Sequence, residues 1–163
     1  MTAAEVAAFL GERLRLLRLA TVDAGGGPRV VPVWYLPVDG SLLVTPRSRS
    51  AWLAHLQDDP RVGAVVDEEA LPYRKVVIST SVDILHLPGD DDAWRSEYRA
   101  LCLRYWENDA VDAYLAATPH IRRALVSIPL RTGTPEVVTW RLPVAGEDPR
   151  GIWASRYGPV LPA

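Results

Sequence analysis

The chain of 163 residues is poor in four residue types at once, with one cysteine, one methionine, one phenylalanine and one lysine. A lone cysteine, Cys102, excludes an intrachain disulfide and a thiolate zinc site. A lone lysine, Lys75, excludes two enzyme classes. A Walker phosphate loop needs Gly-Lys-Ser/Thr so that an ammonium reaches the outer phosphates, but here Tyr73-Arg74 precede Lys75. An acylating serine of the Ser-x-x-Lys kind needs serine at the place of Pro72. There is no Gly-x-Ser-x-Gly elbow and no His-Glu-x-x-His helix. His55, His86 and His120 lack metal-ligand spacing and read as structural or surface residues, so no metal is expected. A charge excess is missing too. With 18 basic against 20 acidic residues, nothing pulls the chain toward nucleic acid or an anionic membrane. No apolar run approaches the roughly 18 residues of a membrane span, and residues 1–10 lack the pattern of a secretory signal. The expectation is a cytoplasmic protein. All basic residues other than Lys75 are arginine, the bias of GC-rich codons.

What is present is ordinary for a globular protein: 48% hydrophobic and 23% charged residues. The length suits one domain spanning 1–163. Thr2-Ala-Ala-Glu5 has the form of a capping box, with Val6, Phe9, Leu10 and Leu14 at helical spacing behind it. An N-terminal helix is therefore expected within 1–16, ending near residue 14. Then the period shortens. Strands are expected at 17–22, 29–36 and 41–45, as a meander with a tight turn at Pro37-Val-Asp-Gly40. Pro32 lacks an N–H and calls for an edge or a bulge. A short helix over 50–57 is stopped by Asp58-Asp59-Pro60. Strands follow at 61–67 and 75–87, helices near 91–106 and 110–117, strands at 121–130 and 136–142, and a tail over 143–163. The acids Asp90, Asp91 and Asp92 fit a helix start rather than a calcium loop. Trp94, Tyr98, Leu101 and Tyr105 form a stripe that packs its helix on the barrel. A pocket role stays open for one of these aromatics or for neighbouring Trp106. The pattern gives a mainly β fold, an antiparallel barrel or sandwich with peripheral helices.

One stretch carries more. It runs Leu-Ala-Thr-Val-Asp (19–23), then Gly-x-Pro-Arg-Val-Val-Pro-Val-Trp-Tyr from Gly26, then Asp-Gly-x-Leu-x-Val-Thr (39–45). A basic-polar loop, a short helix, Leu56-x-x-Asp-Pro-Arg-Val62 and a strand opening Tyr73-Arg-Lys-Val-Val-Ile78 complete it. In order and spacing these pieces resemble the pyridoxamine 5'-phosphate oxidase-like family of flavin-binding split barrels, over about half the chain.

The resemblance implies an antiparallel six- to seven-stranded split β-barrel with peripheral helices, a homodimer with two cofactor sites at the dimer interface, and a small-molecule substrate. It implies FMN as cofactor, with the deazaflavin of many actinobacterial relatives as the alternative. The flavin carries the hard step, so no catalytic triad is implied and no catalytic residue is assigned. Arg29 matches an arginine near the flavin, while Trp34, beside Val33, stands where a lysine is usual. Val44-Thr45 matches an aromatic-threonine pair. The phosphate segment Ser-Arg-Lys falls on Arg49-Ser50-Ala51 or Ser50-Ala51-Trp52, neither with a lysine. A glutamine at the ring edge falls on Lys75.

The loop still offers Thr45, Arg47, Ser48, Arg49 and Ser50, together with the N–H groups opening the short helix, as an anion site. Trp34 and Trp52 either wall the ring or fill its place. The second alternative is a split barrel that has lost flavin binding and serves as a ligand-binding or cofactor-independent protein. Arg141 and Arg156 are candidates for holding an acidic substrate.

Overall fold

Alternation decides the first sheet. Leu17, Leu19 and Thr21 turn inward and are buried, while Arg18, Ala20 and Val22 face outward along the same strand. The computed structural model describes residues 1–130 and 137–147. In chain order the elements are α1 (Ala3–Gly11), β1 (Leu17–Val22), β2 (Pro28–Val33), β3 (Leu36–Val38), β4 (Ser41–Val44), α2 (Ala51–Asp58), β5 (Arg61–Asp67), β6 (Lys75–Ser81) and β7 (Asp83–His86). A 3-10 turn (Asp91–Trp94), α3 (Arg95–Leu103), α4 (Asn108–Ala117), β8 (Leu125–Pro129) and β9 (Val137–Trp140) follow. The strands form two antiparallel sheets, ordered β2-β1-β5-β6-β9 and β3-β4-β8-β7. Leu19, Val44, Val66, Val76, Ile78, Val126 and Ile128 fill the core.

The fold class is the expected one, mainly β with peripheral helices. Two strands read as continuous are each divided between the sheets. The expected strand 29–36 ends at Val33, and Leu36–Val38 pairs with β4 instead. The cause is Tyr35. Its buried hydroxyl donates to Leu10 O at 2.9 Å, and its N–H donates to the Tyr105 hydroxyl at 3.1 Å. The chain therefore leaves the first sheet at Trp34-Tyr35, and the three-strand meander becomes a crossing between sheets. The expected strand 75–87 divides likewise at buried Val82, whose N–H donates to Pro60 O. That makes nine strands among the described residues rather than six or seven. Pro32 does sit on an edge, since β2 pairs only with β1.

Both halves of the Thr2–Glu5 capping box are formed. The helix ends at Gly11, earlier than expected, because Glu12 is extended and Leu14 takes a left-handed φ of 66°. Arg104 caps it, donating to the carbonyls of Leu10, Gly11 and Glu12. Asp39 and Gly40, both at positive φ, form the two-residue turn between Val38 and Ser41. The helix expected over 91–106 opens as the 3-10 turn and stops at Leu103. Asp91 anchors its start, accepting from the N–H groups of Gly89 and Arg123. The helix expected at 110–117 begins two residues earlier, and the strand expected at 121–130 is shortened to β8. The tail beyond residue 147, including Arg156, lies outside the described residues. No described helix is long and apolar enough to cross a membrane.

Candidate functional site

The departure of Trp34-Tyr35 from the first sheet opens a cavity of about 400 Å³ at that point. Pro32, Val33 and Trp34 close one side of it. Thr45, Arg47, Ser50 and Trp52 close the second, from the end of β4 to the first turn of α2. Tyr98 and Leu101 of α3, Trp106, Tyr114 of α4 and Arg123 close the third.

The aromatic walls are locked to one another. Trp34 stacks parallel on Tyr105 at 4.5 Å and meets the edge of Trp106 at 4.8 Å. Trp106 in turn meets Tyr114 edge-on at 5.1 Å. Such pairs fix ring planes beyond what burial alone does.

Arg123 is held from three directions. Its Nη1 donates to Thr45 O at 3.0 Å, its Nη2 donates to the Tyr114 hydroxyl at 3.0 Å, and its guanidinium lies 4.8 Å above the Tyr98 ring. A backbone bridge between Arg47 and Arg123 joins the two loops. None of these partners is an acid, and among the described residues neither Arg47 nor Arg123 forms an ion pair. The cavity therefore carries two positive charges without a counterion among the described residues.

These charges act on the tyrosines. Burial, with the hydrogen bond to Tyr114, pushes the Tyr98 phenol far above the ordinary value. Burial also works to raise Tyr114, but the hydrogen bond from Tyr98 and the neighbouring Arg123 and Arg47 outweigh it, and the net shift is downward. Burial raises the Cys102 thiol beside Tyr98.

Of the residues anticipated from sequence, Val33, Trp34, Thr45, Arg47, Ser50 and Trp52 meet in this cavity. Ser50 starts α2 without capping it, since its hydroxyl donates to Arg47 O. The Leu53 N–H donates to Ser50 O at 3.1 Å, which leaves the N–H groups of Ala51 and Trp52 without a side-chain cap from Ser50. Arg29 lines a second hollow of about 440 Å³ with Asp23, His55 and Trp52, the last shared by both hollows, and its Nε donates to Asp23 at 2.8 Å. Val44 is wholly buried in the core. Ser48 and Arg49 are exposed on the loop, where the Ser48 N–H donates to Arg122 O. Lys75 opens β6, exposed, with its ammonium 5.2 Å from the Trp140 ring, and lines neither hollow. Arg141 pairs with Glu5 and Glu147. Sequence reasoning missed Tyr114 and Arg123. The Tyr98 stripe was visible as a helical period, but Arg123 enters the site only through its bridge to Arg47.

The family model for Pyridoxamine 5'-phosphate oxidase matches residues 2–130. No curated protein matches the chain significantly. Among solved structures, a conserved hypothetical protein of Mycobacterium tuberculosis superposes with a TM-score of 0.67 at 21% identity, covering 86% of this chain and 85% of that one. The heme storage protein HutZ of Vibrio cholerae gives 0.61 at 20% identity, over 80% and 91%. An FAD-binding protein of Mesorhizobium loti gives 0.55 at 19% identity, over 80% and 90%. At these identities the structural likenesses speak for the fold.

Proposed function

The chain belongs to the pyridoxamine 5'-phosphate oxidase family, and on that premise we propose that it is a flavin-dependent oxidoreductase with FMN in the arginine-lined cavity. The observation that carries this reading is the pair Arg47 and Arg123, two guanidiniums without acid partners among the described residues, facing a cavity walled by tryptophans. A phosphate carries close to two negative charges and is best met by planar guanidinium forks and free N–H groups. Arg47, Arg123, Ser50 and the opening N–H groups of α2 would hold the phosphate, and Trp34, Trp52 and Trp106 would flank the ring. Bound flavin supplies hydride chemistry on a small organic substrate. A deazaflavin is the alternative cofactor, since the same residues suit its anionic side chain.

The test is direct. FMN or a deazaflavin added to the purified protein is expected to quench tryptophan fluorescence and to co-elute with it as visible absorbance. A protein that takes up neither has lost flavin chemistry. One observation favours that second reading: Trp34, in a lysine's usual place, already stacks on Tyr105. The heme storage protein among the structural neighbours is consistent with other uses of this fold.

The same reading makes the protein a homodimer with its cofactor sites at the interface. The outer face of the first sheet supports it. Ala20, Gly63 and Ser79 lie side by side there, a flat row bounded by Val65, Val77 and the 69% exposed Val30. Gly63 has only Ala20 near its missing side chain, at an ordinary 3.7 Å. Gly63→Arg is therefore expected to fold normally but sediment as a monomer. A variant that still sediments as a dimer moves the interface to another face. Lys75, which lines neither hollow described above, is then available to the partner's.

A further inference from the structure

We propose that the twofold axis of the dimer runs along the strands of the first sheet, so that the tip of the β5–β6 hairpin, with Leu71 and Tyr73, covers the mouth of the partner's cavity. This rests on the homodimer reading and not on the identity of the cofactor. It follows first from where apolar surface is left open. Leu14, Leu16, Leu71, Tyr73 and Trp106 are all exposed, and all belong to one end of the first sheet. Leu17 pairs with Val33 and with Val66, and Val66 pairs with Val76. One residue further out, the same end carries Trp34, Leu16, Asp67 and Lys75, on β2, β1, β5 and β6 in turn. Leu14 and the hairpin tip continue past that level, and Trp106 is held there against Trp34. Monomers seldom leave so much apolar surface together.

Two of these residues are also strained. Leu14 and Tyr73 take left-handed φ angles of 66° and 56°, which side chains other than glycine rarely adopt. The tip is nevertheless held firmly. The Tyr73 N–H donates to Ala70 O at 2.8 Å, Pro72 O accepts from the Leu142 N–H at 2.8 Å, and Arg74 is bound by Glu68. A preordered apolar tip loses little entropy on docking.

Charge selects the axis. A twofold that brings two copies of one sheet face together lies between the sheets and parallel to them, either along the strands or across them. The row of Ala20 and Gly63, which pair at the middle of the face, sets its position between β1 and β5. An axis across the strands exchanges the sheet ends and sets Arg18 beside the partner's Arg61, two like charges. An axis along the strands keeps the ends together and exchanges the edges. Arg18, which pairs with Asp67 in its own chain, then also meets the partner's Asp67.

The same axis lays the partner's β6 over β2. The partner's Lys75 comes over Trp34, and the partner's Tyr73, two residues earlier in the chain, stands up to about 7 Å further out. That is where the cavity opens, between Trp34 and Trp106. Tyr73 and Leu71 of one protomer thus find Trp106 of the other, and the cavity, walled on three sides by its own chain, gains a fourth side. Leu14 and Leu16, close to the axis, are covered by the same contact.

Cross-linking of the protein without cofactor tests the contact. Glu107 follows Trp106 and its side chain is 85% exposed, and the native Cys102 is buried. With a short bismaleimide, Tyr73→Cys combined with Glu107→Cys is expected to run as a covalent dimer on a denaturing gel, and each single variant as a monomer. Absence of the covalent dimer in a protein that sediments as a dimer overturns the proposal and leaves the homodimer reading standing. A wild-type protein that sediments as a monomer overturns both.

Tyr73→Gly tests the covering itself. Glycine suits the left-handed backbone, so the variant is expected to fold at least as well as the wild type. It is expected to remain dimeric but to release bound FMN on the order of tenfold faster, the aromatic contact with Trp106 being lost. An unchanged release rate overturns the covering role even where the cross-link forms. A wild-type protein that binds no FMN overturns the flavin reading alone, and the cross-link then decides the contact.

Discussion

Arg123→Ala is expected to weaken FMN binding by about 2 kcal/mol, roughly thirtyfold, the range of a well-placed charge-assisted hydrogen bond. Arg49→Ala is expected to leave it within twofold. The two arginines differ in how much must be ordered on binding. Arg123 is already fixed by Thr45 O, the Tyr114 hydroxyl and the Tyr98 ring, so a phosphate meets a guanidinium whose rotamer entropy is already lost. Arg49 is an exposed loop side chain and would have to be immobilised. Arg123→Lys separates charge from geometry. It keeps the positive charge and loses the planar fork, so an intermediate loss is expected. Fluorescence titration of the three variants decides the matter, with thermal melts to show that each is folded. A large loss in Arg49→Ala with none in Arg123→Ala would put the phosphate on the outer end of the loop.

That comparison also shows where the sequence was informative. Thr2 and Glu5 announce a helix start because a capping box is complete within four residues. The turn at Asp39-Gly40 and the alternation of β1 are equally local. The breaks at Tyr35 and Val82 are not. Aromatic and β-branched residues run straight through them, and strand propensity sees no interruption. Only distant partners create the break at Tyr35, namely the Leu10 carbonyl and the Tyr105 hydroxyl. The site divides in the same way. Thr45, Arg47 and Ser50 sit in one loop whose spacing resembles a known pattern. Arg123 and Tyr114 come from the second half of the chain, and neither lies in a motif. Their role exists only where β8 leads in beside the loop after β4.

Glu68→Ala is expected to be among the most damaging substitutions outside the cavity, lowering stability at neutral pH by about 3 kcal/mol. The Glu68 side chain is only 5% exposed. It accepts from Arg74 Nε and Nη2 and from Arg15 Nη2, each at 2.7 Å, and from the Arg74 N–H at 3.0 Å. Both arginines also reach Glu12, and their guanidiniums lie 4.7 and 4.6 Å from the centre of the Phe9 ring. The cluster therefore ties α1 to the hairpin of β5 and β6, and removing its most buried acid leaves two cations undercompensated.

The pH dependence gives a separate check. Hydrogen bonds from Arg74 hold the Glu68 carboxyl down at about 2, against roughly 4.3 in an unfolded chain. A depressed carboxylate stabilises the fold at pH above its unfolded value, and that contribution is lost as the pH falls toward 2. In urea melts the gap between wild type and Glu68→Gln is therefore expected to narrow from about 3 kcal/mol at pH 7 to about 1 kcal/mol at pH 3. A gap that is small at pH 7, or that stays constant into acid, would mean that Glu68 holds α1 by packing rather than by charge.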